Sequence, residues 1–184
     1  MKLRILLAAA LPAALALAAV SDYDSAKRKI DSIDGNRLRA GSRVDLTPRE
    51  LNAYAEHELP AGVRNPQLQV TAPEIATGSA LVDFGKLQRS LGYQPGWLLS
   101  KLLDGERPVS VTARIRSSGG HATVEVQSVQ ISGLRIDGAT LDFLIRNVLV
   151  PLYPDAVVDQ PFELGHRIEK LDVQPRGVGV VIGP

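Results

Sequence analysis

The sequence predicts an α+β fold in which a strongly curved antiparallel sheet wraps around a long amphipathic helix, with additional short helices. Three observations carry this expectation. Residues 137–154, DGATLDFLIRNVLVPLYP, hold Leu141, Leu144, Ile145, Val148, Leu149 and Leu152 at helical spacing, which puts them on one stripe. On both sides of that stretch apolar and polar residues alternate with the period of two that marks a strand. No internal repeat or low-complexity tract divides the chain, so one domain is the economical assignment. A helix this apolar must lie on a sheet to leave water.

At the start, Lys2 and Arg4 precede an apolar run from Ile5 to Ala19, and Ala16-Leu17-Ala18 has the small-residue spacing that a signal peptidase reads. The run of about fifteen residues is short of the roughly 20 that a transmembrane helix needs. Residues 1–18 are therefore expected to be a signal peptide, with an uncleaved anchor as the alternative, and the mature protein to be periplasmic or secreted. The chain has no cysteine, so neither lipoprotein acylation nor a disulfide is available. Residues 19–45 read as a tether with partial helix, because only Tyr23, Ile30 and Ile33 offer apolar contacts before Gly35 and Gly41 break the pattern.

Removal of Lys2 and Arg4 leaves 19 basic residues of the 21 against 20 acidic, a net charge of −1. Dispersed, balanced charge argues against tight nucleic-acid binding, which draws on basic clusters that displace counterions. The one basic group, Arg37, Arg39 and Arg43, reads as a solvated face.

Residues 46–184 form the expected domain. Thr47, Pro48 and Glu50 have the spacing of a capping box with proline at the first helical position, and Pro60 ends that helix. Gln67 to Val70 and Gly78 to Phe84 alternate as strands. Residues 86–104 turn helical around the Pro95-Gly96 break and read as an inserted lid. Val109 to Ile115 and Ala122 to Ile131 flank the turn Ser117-Ser118-Gly119-Gly120 as a hairpin. Ala122, Val124 and Val126 share one parity while Val129 and Ile131 take the other, which predicts a bulge near Gln127 or Ser128, or a strand buried on both sides. After the long helix, which Asp137 can cap, Phe162 to Leu164, Ile168 to Val173 and Gly177 to Ile182 close the domain as strands.

The residues give little chemistry. His57, His121 and His166 are expected in a helix, at a turn and in a strand, and none has a partner at zinc-ligand spacing. No metal or cofactor is expected. No serine lies in a Gly-x-Ser-x-Gly elbow, and Asp155 and Asp159 beside Pro154 read as loop solvation. Gly177-Val178-Gly179 lacks the following helix that would hold a phosphate. Trp97, Leu98, Leu99, Leu102 and Leu103 crowd nearly every side of two turns. They are either core or the lining of an apolar cavity. In the second reading Trp97, Leu98 and Leu102 join Leu141, Leu144, Ile145, Val148, Leu149 and Leu152 in enclosing a lipid or other apolar ligand.

LTPRELNAY at 46–54, the hairpin VSVTARIRSSGGHATVEVQSVQI, the helix LDFLIRNVLVPLY and the close FELGHRIEKLDVQPRGVGVVI together cover most of the mature chain. In this order they resemble small bacterial envelope proteins of the TULIP (tubular lipid-binding) superfamily. The resemblance implies a helix lying in the concave side of a curved sheet, lipid binding or lipid transport in the cell envelope, and no catalytic residues. It also implies transient contact with a membrane or an envelope protein. Without a cysteine to acylate, this chain departs from the lipoprotein members and fits a soluble shuttle. The alternatives are a scaffold module that binds a protein partner, and a hydrolase with a dispersed site.

Overall fold

A computed structural model describes residues 10–86, 105–146 and 157–184, with side chains from Asp22 onward except those of Phe143 and Leu144. The order of elements is α1 (Ala10–Asp34), β1 (Arg43–Leu46), α2 (Pro48–His57), β2 (Val63–Ala72), β3 (Ile75–Asp83), β4 (Glu106–Ser118), β5 (His121–Ile131), β6 (Leu134–Ile136), α3 (Gly138–Leu144), β7 (Phe162–Glu163), β8 (Ile168–Gln174) and β9 (Gly177–Ile182). The chain is α+β, and its described strands pair antiparallel throughout. No helix among the described residues is long and apolar enough to cross a membrane.

The strands form two sheets. One has the order β1-β9-β8, and the other runs β2-β3-β4-β5-β6 with β7 also on β5. The larger sheet does not close on itself. The hairpin expected around Gly119-Gly120 is present, and so is the bulge: Thr112 pairs with Ser128 and Ala113 with Val126, which leaves Gln127 as the extra residue. Register shifts also interrupt β2, between Arg64 and Gln67 and between Val70 and Ala72. Each such shift adds local twist and bend.

The edge of β8 is occupied by the ends of the larger sheet's hairpins. Glu74 N–H donates to Val173 O at 2.9 Å and Gly120 N–H to Glu169 O at 2.9 Å. Between them the Ser117 hydroxyl takes the place of a backbone residue, donating to Leu171 O at 2.9 Å and accepting from Leu171 N–H at 2.7 Å. Ser117→Ala removes both bonds and leaves a backbone pair without partners, so it should cost about 1–3 kcal/mol. Chemical denaturation will read the change, and an unchanged midpoint would show that water replaces the hydroxyl without loss.

The capping box at α2 is as expected. Thr47 Oγ1 accepts from Glu50 N–H, and Glu50 Oε2 accepts from Thr47 N–H at 2.8 Å. The N-terminal segment differs from the tether with partial helix. Helix runs through Asp34, Ala26 and Ile33 are buried, and Ile33 packs with Val180 and Ile182 in a core that Leu38, Val44, Ile168 and Leu171 extend. The folded body thus takes in α1 and β1. The reason is mixed: one isoleucine meets the small sheet, and polar side chains fasten α1 to α2. At α3, Asp137 holds the N-cap position but its side chain makes no capping bond, because its carboxylate accepts from Arg135 Nε at 3.0 Å instead. The strand expected at His166 is a turn, with Gly165, His166 and Arg167 all at positive φ.

Candidate functional site

Across its middle rows the larger sheet has one apolar and one polar face, and the pairing register shows this row by row. Leu68, Gly78, Val111, Val129 and Ile136 lie opposite one another in a row across five strands. Val70, Ala76, Ala113 and Val126 make a second row, and Ala80, Val109, Ile131 and Leu134 a third. The intervening rows are polar: Gln67, Ser79, Ser110, Gln130 and Arg135, then Gln69, Thr77, Thr112 and Ser128. Without the extra residue at Gln127, Val124 and Val126 would point to the opposite face from Val129 and Ile131. The bulge therefore keeps the apolar face continuous.

That face is not sealed. None of the residues in its three apolar rows is buried, and Leu68 and Leu134 are 42% and 68% exposed. Among the described residues, a packed core lies between α1 and the three-stranded sheet. Along β3 the residues of these rows are small, Ala76, Gly78 and Ala80, and the Leu68 side chain lies 3.4 Å from where a Cβ on Gly78 would stand. A cavity of about 440 Å³ adjoins α3, lined by Ile145, Val157 and Val158 together with Asp142, Arg146, Asp159 and Gln160.

Of the residues expected to line an apolar site, Leu141 is buried, Ile145 is half-buried on the cavity, and Leu144 ends the α-helical part of α3 before a π turn at Ile145 and Arg146. Trp97, Leu98, Leu102, Val148, Leu149 and Leu152 lie outside the described residues, as do all but the first residue of the lid expected at 86–104 and most of the helix expected to Leu152. Leu141 and Ile145 are joined through the backbone, Ile145 N–H donating to Leu141 O, but Ile145 and not Leu141 lines the cavity. The sheet rows went unnamed in sequence because their coherence depends on pairing register, although the parity switch at Gln127 pointed to it.

Two polar clusters stand apart from the apolar face. Glu50, 5% exposed, accepts from Lys29 Nζ at 2.6 and 2.8 Å and from the Ser25 hydroxyl at 2.6 Å. Burial alone would raise its pKa. The bonds from Lys29, Ser25 and Thr47 outweigh that and hold it at about 2. Ser25 and Lys29 are one helical turn apart, but the serine hydroxyl and Lys29 Nζ both donate to the same carboxylate. The cluster is a latch between α1 and α2. Beside it Tyr23 stacks on His57, with ring centroids 3.9 Å apart, and donates to Glu58.

The second cluster crosses the small sheet. Asp45, Gly179 and Asp172 form one row, and Arg43 lies over the glycine, donating to Asp45 at 2.8 Å and to Asp172 at 2.8 Å. The guanidinium holds the Asp172 carboxyl below its usual range. At the hairpin tip His121 Nδ1 lies 3.0 Å from Gly119 O, and among the described residues no histidine shares a hydrogen bond with a serine. None of the described His, Asp and Glu side chains gather in a group of three that could hold a metal ion. Comparison with protein-family models, with curated proteins and with solved structures finds no match to this chain.

Proposed function

We propose that this chain is an exported, non-enzymatic binding protein of the cell envelope that holds a lipid or other apolar ligand between a strongly curved sheet and the amphipathic helix opening at Gly138, and that it carries such ligands between membranes. The observation that carries the reading is the continuous apolar face of the larger sheet, thirteen residues in three register rows with none buried. A protein that only needed stability would bury such a face against its own core. Covering ~300 Å² of it with hydrocarbon contributes roughly 7 kcal/mol, part of which offsets the cost of association. No charged anchor is required. The bulges in β2 and β5 supply the bending that would let the sheet wrap a ligand, in keeping with the TULIP-like order of elements.

Native mass spectrometry of gently purified protein should show co-purifying lipid, and the emptied protein should take up a fluorescent fatty acid. Val111→Asp puts a carboxylate in the middle of the apolar face and should weaken uptake at least about tenfold. Gln69→Asp, on the polar face, should leave it unchanged. Ile145→Asp should likewise abolish uptake or unfold the domain. Equal uptake by all three variants, with unchanged melting, would end the proposal. Exposed Leu134 on edge strand β6 favours a second reading, a scaffold module with a protein partner. Crosslinking in cells separates the two, since a scaffold should trap one partner stoichiometrically.

A further inference from the structure

On the face that carries its polar rows, the larger sheet holds a cavity of about 240 Å³ whose walls include Asn65, Ser79, Leu81, Pro108, Ser110 and Gln130. Ser79, Ser110 and Gln130 stand side by side in one register row, and Leu81, opposite Pro108, lies two residues along on the same face. We propose that this cavity is a binding site for a neutral sugar, taking one pyranose ring through its hydroxyl groups. The site lies on the other side of the sheet from the apolar rows, so it stands or falls separately from the carrier reading.

The chemistry of the wall selects the ligand class. Two hydroxyls and two carboxamides line it, and no charged side chain does. A hydroxyl both donates and accepts, and a carboxamide sets two donors beside an acceptor. Such a wall matches a ligand whose own groups each donate and accept, as the hydroxyls of a sugar do. An ion would find no counter-charge, because the cations that neighbour the wall in register are already neutralised. Arg64, opposite Leu81, donates to Glu106 at 2.9 Å, and Arg135, opposite Gln130, donates to Asp137 at 3.0 Å. Leu81 and Pro108 supply an apolar stretch on which the C–H side of a pyranose ring can lie. The volume is below the roughly 300–1,000 Å³ of pockets that take drug-sized ligands, which suits a single ring.

The fold itself makes no use of these groups. In the adjoining polar row the hydroxyls of Thr77 and Thr112 lie 3.1 Å apart and satisfy one another. Among the described residues, the side chains of Asn65, Ser79, Ser110 and Gln130 hydrogen-bond to no protein group. Asn65 is also held against its backbone preference. It has φ +50 and stands where β2 slips by one residue on β3, between Arg64 opposite Leu81 and Gln67 opposite Ser79. Left-handed backbone is uncommon outside glycine, and a residue before proline is ordinarily extended, so Asn65 ahead of Pro66 is strained on both counts. Bulges re-aim side chains, and strain of this kind gathers at binding sites. Here the slip sets a carboxamide in the wall that holds the Ser79, Ser110 and Gln130 row.

The test is an NMR titration of the whole chain with the methyl glycosides of glucose, galactose and mannose. At least one of them should shift the side-chain amide signals of Asn65 and Gln130 and saturate with a Kd on the order of 1 mM, as befits about twelve non-hydrogen atoms. Tetrahydropyran-2-methanol, the same ring with a single hydroxyl, should bind at least about tenfold more weakly. Ser79→Val with Ser110→Val keeps strand-forming residues, removes both hydroxyls and should weaken binding about tenfold or more. Asn65→Gly relaxes the left-handed backbone, so its urea midpoint should be equal or higher while binding falls about fivefold or more, a split that relief of strain alone would not give. Gln69→Ala, on the adjoining row, should bind as wild type. Maltotriose separates the sources: a Kd well below that of the single glycoside assigns the ring to a glycan chain and an equal one to a free sugar, and either supports the site. No saturable shift at Asn65 and Gln130 with any of the three glycosides, equal binding of tetrahydropyran-2-methanol, or unchanged affinity in the folded serine and Asn65 variants would overturn it.

Discussion

Gly177→Ala is expected to prevent β1 from closing on β9 and to destabilise the protein by at least ~3 kcal/mol. Gly177 opens β9 at φ +142, a conformation that side chains rarely adopt, and it pairs with Gln174 across the turn at Pro175-Arg176. A Cβ added there would stand far inside van der Waals contact with the backbone oxygen of Leu46, and close to Leu46 C and Thr47 Cα. None of these atoms can swing aside, because Leu46 is buried and Thr47 is fixed as the N-cap of α2. Backbone strain of about 1–3 kcal/mol therefore adds to an overpacking cost of similar size. Equilibrium unfolding in urea will measure the sum. A loss under about 1 kcal/mol would mean that the β1–α2 corner can yield. Gly179→Ala is the informative contrast, since its Cβ would meet the Arg43 guanidinium, the movable end of an exposed side chain. It should cost less, and it should release the Asp172 carboxyl toward its ordinary pKa as Arg43 withdraws.

The same two glycines show how far the sequence could be read. A final apolar strand after a turn was legible from Gly177 to Ile182, because alternation and turn residues are local signals. That the glycines are there to admit a neighbouring backbone and an arginine was not legible, because β1 is more than 130 residues away in the chain. The pattern recurs elsewhere. Thr47 to Glu50 read correctly as a helix start, since both halves of a capping box lie within one turn. A bulge near Gln127 or Ser128 was one of the two readings that a change of parity within a single strand allowed. The short strand β6, with one side chain 68% exposed, had no alternation long enough to detect. Docking of α1 was hidden for another reason. Its few apolar residues suggested a solvated segment, whereas Lys29, Ser25 and Glu50 supply the missing attachment, and no local pattern pairs a lysine with a carboxylate 21 positions on.

Glu50 should therefore dominate the acid sensitivity of the fold. Its carboxyl pKa lies at about 2 in the folded protein against 4.5 for the unperturbed group, so the unfolded chain binds the proton first as pH falls. The contribution to stability is complete above pH ~4.5 and disappears as pH falls through ~2. Its ceiling is on the order of 3 kcal/mol. The side chain is only 6% exposed, so solvent screens little of this, although Lys29 at 33% keeps some contact with water. Glu50→Gln should lower stability at pH 7 by about 2–3 kcal/mol and flatten the pH dependence between 4.5 and 2. Glu50→Ala should do at least as much, since it also abandons the Thr47 N–H and the Ser25 hydroxyl. Urea midpoints collected from pH 7 down to pH 2 provide the check, and acid limbs of equal steepness in wild type and Glu50→Gln would refute the assignment. If the latch is what holds α1, tryptic cleavage at Lys27 and Arg28 should quicken in the Glu50 variants under conditions where the β-sheets stay intact, because the helix then loses its main polar attachment while Ile33 alone still grips the core.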